Sequence, residues 1–244
     1  MKDNFSGHAA DYAKFRPSYP RELIAHLVSI APAHHLAWDC ATGNGQVAVM
    51  LSEYFGQVIG TDISENQLKN ATQHPNILYK TEQAENASFE DNSVDLVVVA
   101  QAVHWFNFDL FYAEAKRVLK PGGVIAILGY GLLKTQPKLD EVIHMLYDGL
   151  LSGYWDPERR YLDENYQTIP FPFEELNAPH FEMTYTWRFE ELVGYLNTWS
   201  AVKHYEKANG QNPLELLHDE LKATWGDEQT TEIRFEVLTR IGKV

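Results

Sequence analysis

The residues most able to do chemistry are gathered in the run Asp39-Cys40-Ala41-Thr42-Gly43-Asn44-Gly45. Glycine lets a backbone turn sharply and lets a ligand reach the main chain with no side chain in the way. Further on, Asp62 closes a second apolar run, where a carboxylate can accept both hydroxyls of a ribose. A glycine turn after one strand and an acid after the next make a nucleoside site at the carboxyl edge of a sheet. Two chemistries compete for it. Gly43, Gly45 and Ala48 satisfy the dinucleotide fingerprint, which keeps a nicotinamide oxidoreductase open. That fingerprint aims a helix N-terminus at a pyrophosphate, and an acid at the turn gains an anion nothing. Asp39 suits a cationic or amino-bearing ligand better.

The elements that must position these residues alternate short apolar strands with helices, the pattern of an α/β fold with a parallel sheet. Strands are expected over 35–39, 57–62, 77–80, 94–100 and 124–128, and helices over 46–54, 65–72 and 108–119. The unbroken apolar run Val94 to Ala100 predicts a strand covered on both faces. Pro121-Gly122-Gly123 is expected to break the chain before the fifth strand. Beyond Tyr130 the rhythm changes. Helices are expected over 134–151, 192–207 and 214–225, with strands over 183–190 and 231–238. The expectation is a single domain over 1–244. It divides into a lid and helix (1–34), a ligand-binding core (35–130), cap inserts (131–180 and 191–228) and last strands (181–190 and 229–244).

S-adenosylmethionine carries both an amino group and a ribose, so it answers Asp39 and Asp62 together. Asp39-x-Ala41-x-Gly43-x-Gly45 resembles the first motif of class I S-adenosylmethionine-dependent methyltransferases, with Ala41 where glycine is more usual. Gly60 to Ser64, Gln83 to Glu85, Ser93 to Leu96 and Arg117 to Gly123 match further motifs in order. The segments Tyr12 to Pro20, Ala100 to Phe106 and Leu192 to Val202 are similar to the subgroup that includes the trans-aconitate methyltransferases. Asn107 departs from the aspartate expected there.

The resemblance implies a Rossmann-like fold: seven strands, mostly parallel, with helices on both faces and a helical cap in the C-terminal half. It implies that Ala41, Gly43 and Gly45 line the methionine part of the cofactor, with Asp39 nearby. Asp62 would hold the ribose, Ile63 pack on the adenine, Ala84 and Glu85 sit at its edge, and Gln101 face the amino-acid end. Tyr12 would touch the sulfonium region, and S-adenosylhomocysteine would be the product. Arg16, Tyr19 and Trp105 are candidate substrate contacts, with Arg188 or Lys203 as other sources of charge. His104 is the candidate general base.

Composition narrows the partners. With 20 Lys+Arg against 34 Asp+Glu, a net charge of -14 argues against a broad grip on nucleic acid or anionic lipid. One cysteine, Cys40, makes no internal disulfide, and no apolar run approaches the ~20 residues of a membrane span. The expectation is a cytoplasmic protein, monomer or homodimer, with a small anionic acceptor. No metal site is expected, because the histidines show no ligand spacing. A carboxylate acceptor would need no base, its pKa lying near 4, whereas a phenol or amine would call on His104. A catalytically silent cofactor-binding protein is the other reading.

Overall fold

The computed structural model describes residues 15–244. Its strands are β1 (Leu36–Cys40), β2 (Gln57–Asp62), β3 (Ile77–Thr81), β4 (Val94–Ala100), β5 (Leu119–Tyr130), β6 (Glu174–Leu176), β7 (Glu182–Trp187) and β8 (Thr231–Lys243). They form one sheet in the order β3-β2-β1-β4-β5-β8-β6, with β7 also pairing β8. Strands β1 to β5 run parallel, and β8 is antiparallel to β5, β6 and β7. The order reverses between β1 and β4, the place where ligands bind in open α/β sheets. Residues after 131 continue this sheet, since Val124 to Tyr130 pair Lys243 to Val237.

The helices are α1 (Arg21–Ile30), α2 (Gln46–Ser52), α3 (Glu65–Lys69), α4 (Phe108–Val118), α5 (Pro137–His144), α6 (Arg160–Asp163), α7 (Phe189–Leu196), α8 (Ser200–Asn209) and α9 (Pro213–Trp225). The central strands explain why both sheet faces are covered. Leu96, Val98, Val124, Ala126 and Leu128 pack on one side with α1, α2 and α7 to α9. Val97, Val99, Ile125 and Ile127 pack on the other with Phe111, Ala115 and Tyr166. Alternate residues of one apolar run thus feed two cores.

Several boundaries differ from the sequence reading, each for a local reason. An eighth strand, β6, adds a short edge piece, so that two strands lie along β8 where one was expected. Strand β5 begins at Leu119, and Pro121-Gly122-Gly123 forms an irregularity inside it: Val94 pairs Leu119, but Leu96 pairs Val124. The expected 183–190 strand stops at Trp187 because Arg188 caps α7, its amide donating to Glu191 Oε2 at 2.7 Å. The expected 192–207 helix is two helices parted at Asn197 to Trp199. The expected 134–151 helix passes from α5 into a π-helical turn over Met145–Leu150. Asn107 caps α4, accepting from the Leu110 amide at 3.2 Å, a task asparagine performs as well as aspartate.

Candidate active site

The glycine turn joins β1 to α2 at the switch point. Ala41, Gly43 and Gly45 all have positive φ (56°, 55° and 84°), so the chain makes a left-handed turn that only glycine adopts without cost. A Cβ on Gly43 would meet nothing within 4 Å, so that backbone is open. Gly60 has the opposite surroundings: a Cβ there would come within 2.8 Å of the Tyr79 ring, whose hydroxyl donates to Thr72 O at 2.9 Å. Tyr79, paired with Gly60 across β2 and β3, packs against Gly60 and Gly45 and so supports the turn, a contact that motif reading missed. The signal was there, because a strand glycine opposite an aromatic marks a close approach.

Asp39 is buried at 1% exposure. Its Oδ2 accepts from Thr42 Oγ1 at 2.5 Å, while Oδ1 finds no hydrogen-bond partner among the described residues. Burial pushes its carboxyl up to about 7. The Asp62 carboxylate bridges two turns, Oδ2 accepting from the Gly43 amide at 2.9 Å and Oδ1 from the Ser64 amide at 2.8 Å. Burial raises the Cys40 thiol well above its usual range, and the charges of Asp39, Glu85 and Asp62 add to the effect. Asp39 and Asp62 thus stand together at the turn.

One cavity is lined by Asp39, Ala41, Gly43, Gln101, Arg16, Tyr19 and Tyr130. It brings together most of the residues expected at the methionine end. Gln101, itself at φ 55°, turns the chain after β4 and donates from Nε2 to Tyr130 O at 3.1 Å. Gly45, Asp62, Ile63, Ala84 and Glu85 do not line this cavity. Ala84 is buried, and Glu85 Oε1 accepts from the Asn107 amide at 3.0 Å, which ties the loop after β3 to the start of α4. Ile63 follows β2 directly and is half-buried. Tyr12 lies outside the described residues.

A second cavity shares Arg16 and Gln101 with the first and adds His104, Trp105, Trp155, Asp156, Arg159, Leu162 and Trp199. Arg16 donates to Tyr130 Oη and Thr198 O, both at 3.3 Å. His104 lies 3.2 Å from Tyr166 Oη through Nδ1, with the Trp105 ring 4.9 Å from its own. Burial, and then the Arg159 charge, lower its pKa to about 3, so the imidazole is neutral near pH 7. Arg188 is held near Glu191 at 3.6 Å, and Lys203 donates to Asn197 Oδ1 at 3.1 Å; neither lines this second cavity. Arg159 was missed as a pocket residue, and Trp155 and Trp199 carried no assigned contact. They reach it from a cap whose path no motif announces.

A methyltransferase domain model matches residues 38–127. A Dictyostelium discoideum protein named as a methyltransferase is 34% identical over 249 residues, 99% of this chain and 95% of that one. The solved structure of a protein described as a type II methyltransferase, from Anaeromyxobacter dehalogenans, superposes with a TM-score of 0.87 at 41% identity. That match covers 94% of this chain and 98% of that one. A Saccharomyces cerevisiae protein named as an S-adenosylmethionine-dependent methyltransferase is 29% identical over 182 residues, 69% of this chain and 60% of that one. The sheet, the glycine turn and its two acids define a class I methyltransferase. The chain belongs to the class I S-adenosylmethionine-dependent methyltransferases.

The residues present fit that cofactor. The open Gly43 backbone leaves room at the turn, and Asp39 offers a buried oxygen with no described hydrogen-bond partner to a group that donates. An acid at the turn suits an amino-bearing ligand and gives a pyrophosphate nothing. Among the described residues no three His, Cys, Asp or Glu side chains gather as a metal site, and no helix is long and apolar enough to cross a membrane.

Proposed function

We propose that this methyltransferase acts on a small acid and methylates a carboxylate oxygen. The observation that carries the reading is the second cavity, which adjoins the glycine-turn cavity through Arg16 and Gln101 and is walled by arginine and indole side chains. An arginine orients a carboxylate by paired charge-assisted hydrogen bonds. S-adenosylmethionine supplies an electrophilic methyl group on a sulfonium. In this reading Asp39 receives the amino group of the cofactor and Asp62 the ribose hydroxyls. Ile63, Ala84 and Glu85 meet the adenine, and Gly43 and Ala41 let the backbone approach, while Gly45 makes room for Tyr79. Tyr19 stands at the sulfonium end, and the helices of 131–180 and 191–228 cap the acceptor.

Displacement at carbon needs alignment and exclusion of water more than proton transfer. An acid acceptor is ionised at neutral pH and needs no base. His104 favours this assignment. A side chain pushed down to about 3 is a poor proton acceptor, so its part is to shape the pocket and offer a neutral N–H beside Trp105. The subgroup resemblance also supports an acid. The test is His104→Gln. Its kcat should stay within about tenfold of wild type, whereas removal of a general base costs roughly a hundredfold or more. A loss of that larger size, with activity confined to phenols or amines, would put general-base methylation in its place.

A further inference from the structure

The second cavity contains a cation that the reading above leaves unused. Arg159 precedes α6, and its guanidinium lies 5.3 Å from the Tyr147 ring centre and 5.0 Å from that of Trp155. Its Nε donates to Tyr147 Oη at 2.7 Å and stands 3.4 Å from Asp163 Oδ1. The Tyr147 hydroxyl donates to the same Asp163 oxygen at 2.5 Å. Tyr147 sits in the π-helical turn, and single π turns in helices frequently mark functional sites. Two aromatic rings and the Nε edge are thus committed to holding the guanidinium in one orientation.

The other edge is left over. Nη1 and Nη2 of Arg159 make no hydrogen bond with any described residue, although the side chain is only 19% exposed. Asp156 lines the same cavity but is not within ion-pair distance of Arg159, and it lies 3.9 Å from His204. A fixed, planar, half-dry fork with two free nitrogens matches the geometry of a carboxylate, and its pre-organisation lowers the entropy lost on binding. Arg16 differs: it is bonded to Tyr130 and Thr198 and stands in the walls of both cavities. Arg159 lines the second cavity and not the first.

We propose that Arg159, clamped by Tyr147, Trp155 and Asp163, is the residue that selects acidic acceptors, its open fork taking a carboxylate of the substrate. This rests on the acid-acceptor reading. The experiment titrates the full chain, loaded with S-adenosylhomocysteine, with benzoate, succinate and fumarate and with their neutral amides. Tryptophan fluorescence reports binding, because Trp105, Trp155 and Trp199 wall the cavity. At least one acid should bind wild type about tenfold or more tightly than its amide, and Arg159→Gln should lose that acid by about tenfold or more. Arg159→Lys should recover part of the loss, and both variants should keep wild-type affinity for S-adenosylhomocysteine.

Unchanged acid binding in Arg159→Gln would overturn the Arg159 assignment alone. Acids binding wild type no better than amides would overturn the acid-acceptor reading and this inference with it. Loss of S-adenosylhomocysteine affinity in both variants would make Arg159 a structural residue and overturn its role in selection.

Discussion

Thr42 donates its hydroxyl to one oxygen of Asp39 at 2.5 Å, while the other Asp39 oxygen is buried with no hydrogen-bond partner among the described residues. The pair fixes the carboxylate and holds one acceptor in reserve at the base of the glycine turn. A buried acceptor in that condition is ready for a donor that a ligand brings.

Asp39→Asn should therefore trade stability against binding. The folded-state pKa, near 7, lies above the ordinary value of 3.8. The favourable contribution of the protonated acid is complete below about 4 and is lost as pH rises through 7. At pH 8 the amide should raise the thermal midpoint of the unliganded protein. In calorimetry it should weaken S-adenosylmethionine by roughly tenfold or more. Equal affinity in the two proteins would remove Asp39 from the cofactor site.

Asp62 has two tasks that substitution can separate. Asp62→Asn can keep one amide of the turn but loses the charge, and it should weaken S-adenosylmethionine by roughly tenfold or more, at about 1.5–3 kcal/mol per charged hydrogen bond. Asp62→Ala also frees the Gly43 and Ser64 amides, so it should lower the thermal midpoint further. Unchanged affinity in Asp62→Asn with the fold intact by circular dichroism would sink the ribose assignment.

Ala41 holds φ at 56°, a conformation that costs a side-chain-bearing residue about 1 kcal/mol. Ala41→Gly should relieve it and raise the thermal midpoint by roughly 2–4 °C for a chain of this size. The gain is partly offset by the larger entropy of an unfolded glycine. A lowered midpoint would contradict the strain.

His104 makes the opposite pH signature to Asp39. Its folded pKa, about 3, lies below the unfolded value of 6.5, so the unfolded chain takes up the proton first. The stability this neutral ring contributes is complete above 6.5 and is lost as pH falls toward 3, by an amount on the order of a few kcal/mol. His104→Gln should flatten the fall in denaturation midpoint between pH 6.5 and 4. A variant with the wild-type slope would show that other groups set it.

The sequence carried the core strands and the cofactor turn because both rest on local signals. Glycines at positive φ, an acid ending β2 and alternating apolar strands are visible residue by residue. The acceptor side was much less legible. Arg159 draws its meaning from Tyr147, Asp163 and Trp155, and the π turn that presents Tyr147 interrupts what reads as one amphipathic helix. His104 could be marked as a pocket residue from its place after β4, but its loss of basicity comes from burial under distant chain, including Tyr166. Asn107 was read as a departure from a motif, and its capping geometry accounts for it locally.

The central claim is transfer of a methyl group to an acid oxygen. Its most direct measurement is turnover of S-adenosylmethionine carrying a radiolabelled methyl group, against a panel of small acids, phenols and amines, followed by mild alkaline hydrolysis of the product. The account predicts label on an acid, released as volatile methanol by base, with Arg16→Ala lowering kcat/KM for that acid. Base-stable label found only on neutral phenols or amines would contradict it.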